Sequence, residues 1–139
     1  MDASFEEKSV WITLLGLLIG FGIYFVLAGR MLSDGVMSVP SYIPLFVGAT
    51  VVLVLVLIGG HVMAALARKP EDADERDRLI AWRAENNSSW ILGVGVLLAI
   101  GALAAQVEAA WVANGLLAFL FLSEVVKLVL QISYYRRGL

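Results

Sequence analysis

Cysteine is missing from this 139-residue chain, histidine occurs once, and charged residues make up only 16% of the sequence. The lack of cysteine excludes a disulfide framework, a thiolate metal site and a cysteine nucleophile. The single histidine, His61, cannot form a histidine cluster. The net charge of −2, with basic residues interleaved among acidic ones, argues against a nucleic-acid partner. The composition therefore predicts neither a bound metal nor a cofactor.

Hydrophobic residues are abundant and are concentrated in long runs. They form 60% of the chain, and the mean hydropathy is +0.87. About 20 apolar residues in a helix cross the roughly 30 Å hydrocarbon layer, where the backbone must satisfy its own hydrogen bonds. Four runs are long enough, namely Ser9 to Gly29, Tyr42 to Ala67, Asn86 to Val107 and Ala109 to Tyr135. We therefore predict an all-α integral membrane protein, a four-helix bundle built from two helical hairpins that sits in the lipid bilayer.

A charged connector, Arg68 to Glu85, separates the two hairpins. It holds five of the ten Lys and Arg residues and six of the twelve Asp and Glu residues. It divides a single membrane domain, residues 1–139, into a hairpin at 9–67, the connector at 68–85 and a hairpin at 86–135. Its acidic residues favour a helix from Asp74 to Glu85. We interpret this helix as a solvated extension of the third span, with a docking surface for another protein as the alternative.

Basic residues are unevenly distributed between the two sides of the membrane. Lys8, the five basic residues of the charged connector and the pair Arg136-Arg137 lie on one side, eight in all, whereas Arg30 lies on the other. Since cytoplasmic segments carry the excess of Lys and Arg, both termini are predicted to be cytoplasmic.

Small residues recur at four-residue spacing in the first and third spans. Gly16 and Gly20 form one such pair, Gly95 begins a second with an alanine, and Gly101 begins a third. This spacing lets two helix backbones approach closely in lipid. We predict that these glycines pack against helices of the same chain, and a dimer face is the alternative.

The two hairpins also resemble each other in sequence. At an offset of 79, Glu6, Ser9, Trp11 and Ile12 match Glu85, Ser88, Trp90 and Ile91. Both copies enter the membrane from the same side, so the pattern indicates a parallel internal repeat, although the second helices align only with a gap. Chance matching among apolar residues is the alternative.

The charges inside a predicted span are confined to the fourth. Glu124 and Lys127 are three residues apart, Gln131 lies one turn further, and Ser123 adjoins them. The midpoint between the aromatic ends of this span places Glu124 near the bilayer centre, where an unpaired charge costs at least about 2.5 kcal/mol. We therefore predict that Glu124 is either paired with Lys127 or protonated.

Two hypotheses follow for this polar face. In one, Glu124 binds and releases a proton or cation while Lys127 influences its protonation. In the other, the two residues form a structural ion pair that fixes the register of the helix. His61, near the inner end of the second span, is a further candidate for a proton relay or sensor, or else a neutral histidine near the interface.

Four stretches carry a resemblance to a known family. They are Phe5 to Trp11, Asp74 to Ile80, Gly93 to Leu97 and Tyr134 to Gly138. In these stretches the chain resembles the small four-span bacterial membrane proteins that are grouped as domains of unknown function. The resemblance implies a bacterial inner-membrane location and carries no catalytic residue across.

No P-loop, nucleotide fingerprint, metalloprotease signature or serine-hydrolase motif occurs in the sequence, so we do not expect an enzyme. We expect an accessory or regulatory membrane component that acts through helix–helix or protein–protein contacts, as a homo-oligomer or with a membrane-protein partner. The alternative is a small homo-oligomeric proton or cation transporter or channel that uses Glu124 and Lys127. Transport would need several copies, because four spans leave little room for an aqueous path within one chain.

Overall fold

The computed structural model describes residues 5–67 and 74–137. Its helices are α1, Phe5–Ser33; α2, Ile43–Ala67; α3, Glu75–Ala104; and α4, Ala109–Arg137, with a 3₁₀ turn at Val39–Tyr42 before α2. All four helices are long and apolar enough to span a membrane. The predicted all-α four-helix membrane architecture is confirmed, while residues 68–73 of the charged connector lie outside the described residues.

The second part of the charged connector is the start of α3. The Asp74 carboxylate accepts a hydrogen bond from the Asp77 N–H at 2.8 Å, and the Asp77 carboxylate accepts one from the Asp74 N–H at 3.1 Å. This capping box satisfies two amides that the helix itself cannot pair. The helix then runs without interruption to Ala104. The stretch predicted to be helical at the end of the connector is therefore continuous with the third span.

The helices pack in the order α2, α1, α4, α3. Extensive contacts join α1 with α2, α3 with α4, and α1 with α4, in each case between antiparallel neighbours. The most apolar part of α1 is 33% buried, whereas that of α2 is 6% buried. The helices α2 and α3 therefore form the two edges of the bundle. We call the end at which α1 and α3 begin the connector end, and the opposite end the loop end.

Small residues bring together the two helices of each hairpin. A methyl group added at Gly16 or Gly20 would lie 3.1 Å from a leucine side chain of α2. One added at Gly95 would overlap the Phe119 side chain of α4. Gly101 differs, because it is exposed on α3 and an added methyl group there would meet nothing within 4 Å. Three of the four predicted packing glycines thus lie at contacts within the chain, and Gly101 does not.

Matched positions of the two hairpins each contact the second helix of their own hairpin. The Ser9 hydroxyl of α1 hydrogen-bonds His61 of α2, whereas its counterpart in α3, Ser88, accepts a hydrogen bond from Ser123 of α4 through its backbone carbonyl. The first glycine of each repeat likewise faces the second helix of its hairpin. The two serines thus meet the equivalent helix through different groups, and the parallel internal repeat stays a prediction from the sequence.

The larger buried cluster lies at the loop end, where Tyr24 and Ala28 of α1 pack with Ala110 of α4. The Tyr24 hydroxyl donates to the Asn114 amide oxygen at 2.7 Å, and the Asn114 NH₂ group donates to the Ala110 carbonyl at 2.8 Å. Both polar side chains thus have partners, which offsets the cost of removing them from water. This pair fixes α1 against α4 and hence joins the two hairpins.

Candidate functional site at the connector end

The charges of the fourth span form a cluster that includes a third residue. The Lys127 ammonium group lies 2.5 Å from the Glu124 carboxylate on α4 and 3.2 Å from the Glu85 carboxylate on α3. Side-chain exposure is 19% for Lys127, 37% for Glu124 and 62% for Glu85, so the lysine is the most enclosed member. The cluster therefore holds α3 and α4 together as well as pairing Glu124.

Glu85 also indicates how deep the cluster lies. It is the last residue before the third predicted run, Asn86 to Val107. Because Glu85 contacts Lys127, the lysine lies at the same depth as the end of the charged connector. Glu124 lies one turn further into the membrane. The aromatic residues of α4 alone predicted a position near the bilayer centre. The contact with α3 indicates that Glu124 lies closer to the connector end. The two positions differ because α4 has 29 residues, more than the about 20 that one crossing needs, so its aromatic ends do not mark the edges of the hydrocarbon layer.

Ser123 and Gln131 lie on different sides of α4. The Ser123 hydroxyl donates to the Ser88 carbonyl at 3.1 Å in the buried contact between α3 and α4. Gln131 lies two turns beyond Glu124 on the same helix face and lines a cavity at the connector end. Ser123 thus belongs to the contact between α3 and α4, whereas Gln131 and Glu124 lie on another face of α4.

The cavity lies where α1 and α3 flank α4, and its volume is about 290 Å³. It is lined by Glu6, Ser9, Val10 and Thr13 of α1, Asp77, Arg78 and Ala81 of α3, and Leu128, Gln131 and Tyr135 of α4. Its lining combines two carboxylates, one guanidinium group, hydroxyls and an amide with an apolar surface. Such a lining can hold a small charged or polar group by several hydrogen bonds at once.

Hydrogen bonds fix two of the cavity walls. The Tyr135 hydroxyl donates to the Asp77 carboxylate at 2.9 Å, which joins α4 to α3. The Ser9 hydroxyl lies 2.8 Å from His61 Nε2, and His61 Nδ1 lies 2.8 Å from the Leu57 carbonyl oxygen. Since a carbonyl can only accept, Nδ1 carries a proton, and in the neutral ring Nε2 accepts from Ser9. His61 is thus connected to the cavity through Ser9, and it takes no part in the Glu124 cluster.

Sequence reasoning did not anticipate that Glu6, Asp77 and Tyr135 are neighbours. They come from three helices and are brought together by the packing of α1 and α3 on α4. One signal was available in the sequence, because all three residues lie at the same predicted membrane boundary. The sequence does not say which helices are adjacent there.

Among residues 5–67 and 74–137, no group of three or more His, Asp or Glu side chains is arranged to hold a metal ion. Comparisons with protein-family models, curated proteins and solved structures find no match. The site is therefore interpreted from its geometry, which consists of an ion cluster between α3 and α4 and a polar cavity nearer the connector end.

Proposed function

We propose that this protein is a non-enzymatic accessory or regulatory component of a membrane assembly and that it acts through contacts of its helices with other membrane chains. The observation that carries this proposal is the order α2, α1, α4, α3. Each edge helix packs extensively against one neighbour only, and the most apolar part of α2 is only 6% buried. Both edges can therefore accept a further helix without any change inside the bundle.

The ion cluster supports the same proposal. Lys127 contacts carboxylates on two helices, so its charge is used to hold α3 against α4. A residue in this role fixes the register of a hairpin, as expected for a structural ion pair. The excess of basic residues orients the connector end toward the cytoplasm, and the resemblance in sequence favours a bacterial inner membrane.

Introduced cysteines test the proposal directly, because the chain has none of its own. Leu55 of α2 is 64% exposed and Leu97 of α3 is 70% exposed, whereas Val26 provides a control on the central helix α1 at 60% exposure. In native membranes, Leu55→Cys and Leu97→Cys are expected to cross-link to another chain, which mass spectrometry then identifies as a second copy or a different protein. Val26→Cys is expected to cross-link less. Equal yields at all three positions, together with extraction as a single chain, would contradict the proposal.

A second candidate function is proton or cation transport by several copies of the chain. It is favoured by one observation, namely that Gln131 lines the cavity and shares a helix face with Glu124. Purified protein in liposomes is expected to lose pH-dependent flux on the change Glu124→Gln if it carries ions. Under the accessory proposal, wild type and variant show the same background flux and differ only in stability or assembly.

A further inference from the structure

Three charged side chains line the connector-end cavity; Asp77 is bound by the Tyr135 hydroxyl, and the other two are an acid and a base on different helices. Glu6 is on α1 and is half-buried, and Arg78 is on α3 and is exposed. In the part of the chain that the structure describes, neither side chain makes a hydrogen bond or ion pair, and the two do not pair with each other. An acid and a base held apart across a cavity are complementary to a ligand that carries both charges.

The remaining lining adds neutral hydrogen-bonding groups and an apolar surface. Ser9 and Gln131 present oxygen atoms that can accept hydrogen bonds, whereas Val10 and Leu128 are apolar. Val10 and Leu128 belong to a hydrophobic cluster between α1 and α4 that continues into the membrane. The charged lining residues lie at the outer end of the cavity, and the deepest residues, Thr13, Ala81 and Leu128, carry no charge. The cavity therefore loses charge along the direction of the bilayer normal, as a phospholipid does below its headgroup.

The position of the cavity also matches a headgroup. Ser9 and Val10 directly precede Trp11, and Tyr135 is on the opposite wall. Tryptophan and tyrosine concentrate at the boundary between hydrocarbon and water. At about 290 Å³ the cavity lies at the lower end of the volume range of small-molecule sites, which suits a headgroup better than a larger ligand.

We propose that this cavity binds the headgroup of an aminophospholipid, a phosphate ester joined to a primary ammonium group. Arg78 binds the phosphate, and Glu6 accepts hydrogen bonds from the ammonium group. Ser9 and Gln131 accept further hydrogen bonds from the same ammonium group. The acyl chains leave the cavity over Val10 and Leu128. A quaternary ammonium headgroup has no N–H to donate, and a glycerol headgroup has no positive charge for Glu6, so both should bind more weakly. This proposal does not depend on the accessory or transport role.

The test uses the full chain in nanodiscs that contain equal amounts of phosphatidylethanolamine, phosphatidylcholine and phosphatidylglycerol. Native mass spectrometry then measures which lipids remain bound after the bulk lipid is removed. The wild type is expected to retain phosphatidylethanolamine about tenfold more than either other lipid, the effect of one charge-assisted hydrogen bond. Glu6→Gln is expected to abolish this preference, and Arg78→Gln to reduce retention of all three lipids.

Matched controls separate the cavity from general surface charge. Glu75→Gln and Arg83→Gln remove the same charges from exposed positions of α3 that do not line the cavity, and both should leave retention unchanged. Equal retention of the three lipids by the wild type would overturn the proposal, as would an unchanged preference in both cavity variants. A final experiment adds soluble phosphoethanolamine to the lipid-bound protein. If it displaces the retained lipid at concentrations near the protein concentration, the site recognises a free zwitterion and the lipid assignment is wrong.

Discussion

The Lys127 ammonium group of α4 lies 3.2 Å from the Glu85 carboxylate of α3, so a lysine of the fourth span is held by the charged segment that precedes the third. The same ammonium group pairs with Glu124. Lys127 is therefore the member of the cluster whose removal leaves the most charge without a partner.

The first prediction concerns this cluster. Lys127→Met should lower the free energy of unfolding by about 2 kcal/mol, less than the loss for a fully buried pair, because Glu124 is partly exposed. Glu85→Gln should cost less than about 1 kcal/mol, since Glu85 is mostly exposed. Adding Glu124→Gln to Lys127→Met should recover most of the loss. Denaturant unfolding in bicelles measures all four proteins, and a double variant no more stable than Lys127→Met would contradict the pairing.

The second prediction compares two glycines of α3. Gly95→Ala places a methyl group against Phe119 and should destabilise the protein by about 1 to 3 kcal/mol, because the hairpin must move apart. Gly101→Ala meets nothing within 4 Å and should be neutral or stabilising by up to about 1 kcal/mol, since alanine favours helix. Thermal unfolding of the two variants in the same detergent measures the difference. Equal effects would show that Gly95 is not a close contact.

The third prediction concerns the hydrogen bond that joins the hairpins at the loop end. Tyr24→Phe leaves the buried Asn114 amide oxygen without its donor and should cost about 1 to 3 kcal/mol. Tyr134 provides the control, because its bond from Asn87 is exposed and water can replace it. Tyr134→Phe should therefore cost less than about 0.5 kcal/mol. The reverse order of the two losses in denaturant unfolding would show that Tyr24 does not fix α1 against α4.

The fourth prediction concerns the loop between α3 and α4. Gln106 has a φ of 58°, and next to it the Val107 N–H donates to the Ala102 carbonyl at 2.9 Å, as at helix ends that close through a left-handed residue. Glycine adopts this conformation without strain, so Gln106→Gly should stabilise the protein by about 1 kcal/mol. Ala105→Gly is the control, because Ala105 has a φ of −80° and gains nothing from glycine. Thermal unfolding should show a higher midpoint for Gln106→Gly alone.

The number of helices and the Glu124–Lys127 pair could be predicted from the sequence because both depend on local information. Apolar run length determines a membrane crossing, and three-residue spacing places two side chains on one helix face. The same holds for Gly16, Gly20 and Gly95, whose spacing predicts close contacts. Gly101 has the same spacing without a contact, because spacing alone does not say which face meets a neighbour.

The order of the helices could not be predicted for a different reason. In a soluble bundle, the contrast between polar and apolar faces shows which side is buried. In these helices the surfaces that face lipid and those that face another helix are both apolar, so this contrast is lost. The partnership of Lys127 with Glu85 and the cavity beside Tyr135 both depend on helix order, and the sequence therefore gave no account of either.

The unbroken course of α3 has a mechanical consequence. About ten residues of this helix precede Glu85 and project roughly 15 Å from the apolar part, at 1.5 Å per residue. The helix is attached to α4 near the base of this projection, through Lys127 and the hydrogen bond between Ser123 and Ser88, and again near its tip, through the hydrogen bond from Tyr135 to Asp77. The projection and the end of α4 therefore form one stiff two-helix rod. A sideways force on this rod is carried by both helices together and reaches the loop end through both of them.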